Sequence, residues 1–108
     1  MNVNLACGGV YVTAPTWLNL DYASNSPAVQ RANLLGRLPL EDSAAELVYS
    51  SHFLEHIPRD QVAPFLQECW RILKPGGVVR LVVPDLANLC RTYLHHRAQG
   101  EHDKADFV

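Results

Sequence analysis

Apolar residues along this chain come in short runs broken by glycine, proline and polar clusters. Residues 2–6 and 17–21 are brief Val- and Leu-containing runs that predict two strands. Between them, residues 7–16 hold Gly8, Gly9, Pro15 and several β-branched side chains. That composition makes a poor helix, and the segment is short for a crossover between parallel strands, which usually takes about a dozen residues or more. Residues 30–34 predict a third short strand. Gly36, Pro39 and the Glu41-Asp42-Ser43 cluster mark loops, and residues 46–51 predict a fourth strand.

The period then changes. From Asp60 to Leu73 the apolar positions Val62, Phe65, Leu66, Cys69, Trp70 and Leu73 recur at spacings of three and four, the stripe of an amphipathic helix. Asp60 is placed to cap it, and Pro64 is tolerable near its first turn. Lys74-Pro75-Gly76-Gly77 predicts a stop and a tight turn, followed over 78–83 by the most strongly β-branched strand. Asp85 then predicts the cap of a second helix with the stripe Leu86, Leu89, Cys90, Tyr93 and Leu94, ending before Gly100. Residues 101–108 show no period and read as a frayed tail or the start of an element that continues elsewhere.

Apolar strands alternating with helices predict an α/β fold, a mostly parallel sheet with flanking helices. In such sheets ligands collect at the carboxyl ends of the strands. The polar residues expected there are Cys7, Gly8, Asp21, Asn33, Ser51 and His52. A glycine after the first strand lets a ligand approach the backbone. A carboxylate ending the second can accept both hydrogen bonds of a ribose diol.

Composition narrows the partners. The chain has 108 residues, 48% hydrophobic and 19% charged, which fits one domain with a core of its own. A net charge of -2 leaves no basic footprint, so no nucleic-acid partner is expected. No apolar run approaches the roughly 18 residues of a membrane span, and residues 1–5 lack the basic start and long apolar stretch expected of a signal peptide. Three cysteines, an odd count at unrelated spacings, indicate a reducing, cytoplasmic compartment.

Four segments in order resemble the class I S-adenosylmethionine-dependent methyltransferases. They are Asn-Leu-Ala-Cys-Gly at 4–8, Leu-Asn-Leu-Asp at 18–21, the stretch from Leu-Pro-Leu-Glu-Asp-Ser-Ala at 38–44 through His-Phe-Leu-Glu-His-Ile at 52–57, and Trp-Arg-Ile-Leu-Lys-Pro-Gly-Gly at 70–77. The resemblance implies a truncated Rossmann-like sheet of order 3-2-1-4-5, S-adenosylmethionine as cofactor and a small-molecule methyl acceptor. It implies cofactor contacts at Ala6, Cys7, Gly8, Asp21, Asn33, Ser51, His52 and Leu54. The chain departs from the family where Asn4 replaces a common acidic residue and where Ala6 and Val10 replace glycines. It departs again where a loop replaces the first crossover helix, and in lacking the sixth and seventh strands.

Each site has a plainer alternative. Asp21 is either a ribose acceptor or a solvated strand end, Gly8 a cofactor contact or a turn glycine, and Asn33 an adenine contact or a loop amide. Cys7 reads as a small buried side chain with no chemistry of its own. His56 fits a general base or a packing histidine. Residues 52–56 also spell H-x-x-E-H, but zinc chemistry needs both histidines on one helix and a third ligand. Here the string follows a strand and meets Pro58, so no metal is expected, and His95, His96 and His102 read as decoration of a solvated helix end. The rival function is a non-catalytic methyltransferase-like module that binds a nucleoside or a protein; a third is one part of a longer polypeptide. With no later strands, the edge of the fifth strand calls for a second copy or an added segment to cover it.

Overall fold

The computed structural model describes residues 1–24 and 26–98. Five strands form one sheet: β1 (Asn2–Leu5), β2 (Trp17–Asp21), β3 (Val29–Arg31), β4 (Ala45–Ser51) and β5 (Leu73–Val82). Their order is β3-β2-β1-β4-β5 and every pairing is parallel. Helix α1 (Val62–Ile72) precedes β5 and α2 (Leu86–Ala98) follows it. The expected truncated Rossmann-like sheet of order 3-2-1-4-5 is therefore present.

Alternation along the strands sends Val3, Leu5, Leu20 and Val48 to one face, where all four are fully buried. Phe65, Cys69 and Ile72 of α1 close over that face with Leu34, Leu38 and Ile57 from the loops. The buried stripe of α1 is narrower than its apolar stripe. Leu66 is 38% exposed and Trp70 81%, so the helix is rotated to bury Ile72 in their place.

Two of the connections that carry no helix, β1 to β2 and β3 to β4, are held by side chains. Asn4 and Asn19, paired in register on β1 and β2, are 5% and 3% exposed on the face opposite the core. Asn19 accepts from the Val12 amide at 3.1 Å and donates to the carbonyls of Val12 at 2.7 Å and Ala28 at 3.3 Å. Asn4 donates to Asn19 at 3.2 Å and to the Val10 carbonyl at 3.3 Å. These amides supply what a crossover helix would supply from its own backbone. Between β3 and β4, Arg71 of α1 plays the same part. It donates to the carbonyls of Leu40 at 2.8 Å and Leu38 at 3.2 Å, and pairs with Glu68, which itself accepts from the Leu38 amide at 2.6 Å.

Four local expectations are corrected. The third strand covers Val29–Arg31, not 30–34, because Asn33 Oδ1 accepts from the Leu35 amide and turns the chain. Helix α1 begins at Val62 after a 3₁₀ turn over Arg59–Gln61, and Asp60 provides no cap. A start at Asp60 would require an intrahelical hydrogen bond from residue 64, and proline has no N–H to give. Lys74–Gly77 is no separate turn but an irregular stretch of β5. Ala45 pairs with Leu73 and Leu47 with Val78, so the intervening residues bulge, with Gly76 at φ +80°. A side chain at Gly77 would meet the Lys74 carbonyl at 2.9 Å, which excludes anything larger there.

Helix α2 is capped as expected, Asp85 accepting from the Asn88 amide at 3.2 Å. It buries no residue, however, and its apolar stripe does not cover the sheet: Leu86 is 73% exposed and Leu94 64%. The expected stop before Gly100, the tail at 101–108 and His102 lie outside the described residues.

Two predictions follow from the Arg71 cluster, whose Arg71 and Glu68 side chains are each 17% exposed. Arg71→Ala strands the Glu68 carboxylate and two carbonyls. It should lower the unfolding free energy by about 2–4 kcal/mol in urea titrations, little of it from Asp42, which is 75% exposed. Arg71→Lys should recover less than half, since an ammonium lacks the fork that reaches several acceptors. The hydrogen bond from Arg71 is the main reason that the Glu68 carboxyl lies below its ordinary value. A depressed carboxylate stabilises the fold above the unfolded-state value, about 4.3, and loses that contribution as pH falls through the lower folded-state value. Acid titrations of Glu68→Gln should therefore show a flatter loss of stability below about pH 4 than wild type.

Candidate cofactor site

At the carboxyl end of the sheet the strands release their chains in successive positions. Leu5 pairs with Leu20 and with Ser50, so Ala6, Asp21 and Ser51 form the next row. Two non-glycine residues here have left-handed backbone: Ala6, just past β1, and His52, just past β4, both at φ 56°. Such conformations cost an L-residue about 1–2 kcal/mol, and they concentrate at functional sites. Ala6 stands where the family commonly has glycine, and the positive φ explains why glycine suits that position.

Gly8 also has φ +56°, and no atom lies within 4 Å of where a Cβ would project. Its amide donates to Asp21 Oδ2 at 2.6 Å, while the Ala23 amide donates to Oδ1 at 3.3 Å. The glycine turn and the carboxylate are thus one unit. Each carboxylate oxygen keeps a lone pair for a further donor. The Cys7 thiol beside them is pushed up, by burial first and by the Asp21 charge second, so it stays protonated.

Next to Asp21, Tyr22, Ala23, Arg31, Ala32 and Asn33 line a cavity of about 440 Å³ at the ends of β2 and β3. Asn33 is exposed there, one residue beyond Ala32, whose amide donates to the Asp21 carbonyl at 2.8 Å. On the other side of β1, Ser51 is half-buried and pairs with Val82. His52 is exposed, its amide donating to the Val82 carbonyl at 2.7 Å. Leu54 packs against the core rather than standing open at the cleft.

His56 lies in a 3₁₀ turn (Leu54–His56) and His52 precedes it, so the two do not share a helix as an H-x-x-E-H zinc site requires. Among the described residues no group of three or more His, Cys, Asp or Glu is placed to hold a metal ion. A second cavity of about 470 Å³, lined by Asp42, Trp70, Arg71 and Lys74 among others, lies at the opposite end of β4 and β5. Its charges are already paired, Arg71 with Asp42 at 3.0 Å and Lys74 with Glu46 at 2.8 Å.

Sequence reasoning missed Tyr22 and Arg31. Tyr22 follows Asp21 directly and could have been singled out by that adjacency. Arg31 was hidden because a strand at 30–34 puts it mid-strand, whereas it ends β3. The structural amides Asn4 and Asn19 carried a signal too: polar residues at paired positions in otherwise apolar runs.

A family model described as "Methyltransferase domain" matches residues 14–81, from just before β2 to the last residues of β5. A protein of Mycolicibacterium smegmatis named as a probable S-adenosylmethionine-dependent methyltransferase is 35% identical over 77 residues. The match covers 63% of this chain and 29% of that protein, so the chain matches under a third of its relative's length. With the parallel 3-2-1-4-5 sheet and the joined glycine turn and carboxylate, the match establishes that this chain belongs to the class I S-adenosylmethionine-dependent methyltransferase family.

Proposed function

We propose that the chain binds S-adenosylmethionine across the carboxyl ends of β1, β2 and β4 and directs its methyl group to a small acceptor. The observation that carries this reading is the hydrogen bond from Gly8 to Asp21. It fixes the carboxylate at the edge of an open turn, with lone pairs still available for a vicinal diol. The residues present fit the group. Gly8 leaves room for a ligand's amino-acid portion, Asp21 accepts from the ribose hydroxyls, and Asn33 lies within reach of the adenine edge.

Ala6 and Cys7 shape the turn, while Ser51 and His52 flank it on the β4 side, where the acceptor would approach. Leu54 supports that side from within the core. The cofactor supplies an electrophilic methyl on a sulfonium. Transfer is an in-line displacement: the bond from acceptor to methyl forms as the methyl–sulfur bond breaks, and a neutral acceptor then releases its proton. Such a reaction gains mainly from positioning and exclusion of water, so no strongly shifted acid–base pair is needed.

Three further features are part of this proposal. Residues 1–108 act as one domain, and free Cys7, Cys69 and Cys90 support a reducing, cytoplasmic setting. No helix among the described residues is long and apolar enough to cross a membrane. Val78 and Val79 of the edge strand β5 are 58% and 44% exposed, which supports a second copy or an added segment covering that edge. The same exposure, with the uncovered stripe of α2, favours the second reading, a non-catalytic module that binds a nucleoside or a protein.

The test is calorimetric titration with S-adenosylhomocysteine. Charge-assisted hydrogen bonds contribute about 1.5–3 kcal/mol each. Asp21→Ala should therefore weaken binding at least about tenfold, one decade being about 1.4 kcal/mol. Glu41→Ala, in the loop before β4, should change it little. Binding that survives Asp21→Ala intact, with the variant folded, would show that the carboxylate is only a strand terminus. Binding without methyl transfer to any small acceptor would favour the module.

A further inference from the structure

Helix α2 has 13 residues and buries none of them. A helix shorter than about 12–15 residues is marginal in water on its own, and most helical stability in proteins comes from packing an apolar face. The apolar face of α2 is continuous. Leu86, Leu89, Cys90, Tyr93 and Leu94 line a groove of about 400 Å³, and each of its lining residues comes from this one helix. Cys90 is an exposed thiol at the middle, with Leu86 and Leu94 four residues to either side of it. The two ends of the helix differ in sign. Asp85 caps the start, accepting from the Asn88 amide, whereas His95, His96 and Arg97 occupy the last turn. Arg97 lies over the Tyr93 ring at 5.9 Å, which sets its charge at the end of the apolar stripe.

We propose that this stripe is the contact surface for a second copy of the chain, the two α2 helices packing antiparallel about a two-fold axis near Cys90. A stripe centred on one residue is complementary to itself when reversed. Leu86 of each copy then meets Leu94 of the other, while Leu89, Cys90 and Tyr93 meet at the middle. Reversal also brings each Asp85 to the basic last turn of the other helix and opposes the two macrodipoles. A parallel pair would set carboxylate beside carboxylate and cation beside cation. An anionic membrane also suits an apolar stripe, but helices that bind one carry a face rich in lysine and arginine. In α2 the only permanent cations are Arg91 and Arg97. The contact is smaller than the roughly 20–30 residues a side of a standard interface, so association is weak and depends on concentration. It is also distinct from the open edge of β5.

Sedimentation equilibrium of the full chain should show monomer and dimer with a Kd on the order of 10–100 μM. Leu86→Glu and Leu94→Glu change exposed positions and leave the core alone. Each should weaken the dimer at least about tenfold, with circular dichroism confirming the fold. Trp70→Glu, at an exposed apolar residue of α1, should change it little. Asp85→Asn keeps a capping side chain but removes the charge, and should loosen the dimer about twofold or more. A short bismaleimide should crosslink wild type but not Cys90→Ser, which retains Cys7 and Cys69. A chain that stays monomeric to about 1 mM overturns the proposal, whether or not it binds phosphatidylserine vesicles. So does a dimer that both glutamate variants leave intact, since its contact then lies elsewhere. Unchanged or tighter association in Asp85→Asn overturns the antiparallel arrangement.

Discussion

The Asn19 side chain holds together what the rest of the carboxyl end depends on. Parallel strands cannot be joined by a tight turn, and a crossover without a helix leaves backbone amides and carbonyls with no partners of their own. Asn19, nearly buried, supplies one acceptor and two donors to residues on both sides of β2, while Asn4 fixes its orientation from β1. A buried amide left half-satisfied would cost about as much as it contributes. The loop after β1 is therefore held in one path, and that path sets Gly8 against Asp21. An apolar residue at either asparagine would suit the strand and leave the loop unheld.

Arg71 solves the same problem for the helix-free connection from β3 to β4, from the opposite side of the sheet. Asn4 and Asn19 act within the sheet and fix the glycine turn after β1. Arg71 acts from α1 and fixes the chain that leads into β4. The two devices lie on different faces, so the chain builds a five-stranded sheet with one helix closing its core. The consequence is a carboxyl end framed by loops rather than helices, and open where Tyr22 and Arg31 emerge.

The main elements were legible because apolar runs with period two and a stripe with period near 3.6 are strong signals, whereas the sheet order came from the family resemblance. What was not legible depended on single hydrogen bonds. Pro64 displaced the start of α1 by withholding one N–H, and the Asn33 turn cut β3 short. Lys74–Gly77 carries every mark of a turn, yet pairing with β4 absorbs it as a bulge. The phase of α1 was missed for another reason. Leu66 and Trp70 are as apolar as Phe65 and Ile72, and only the position of the sheet decides which of them it covers. Of the site, Asp21 and Gly8 were visible as residues, whereas their contact depends on the loop between β1 and β2.

That contact bears on how a methyl donor would be held in the proposed site. A carboxylate facing only water must shed a tight hydration shell before it can accept hydroxyl donors. At Asp21 two backbone amides already meet the charge from the protein side, so less of that shell has to be removed. They also fix the carboxylate plane before any ligand arrives, which lowers the ordering cost of association. The left-handed backbone at Ala6 and His52 has the same character, because conformational strain is built in during folding rather than during binding. Positioning is most of what methyl transfer requires of a protein, and the proposed site would concentrate it in a turn, a carboxylate and two strained strand ends.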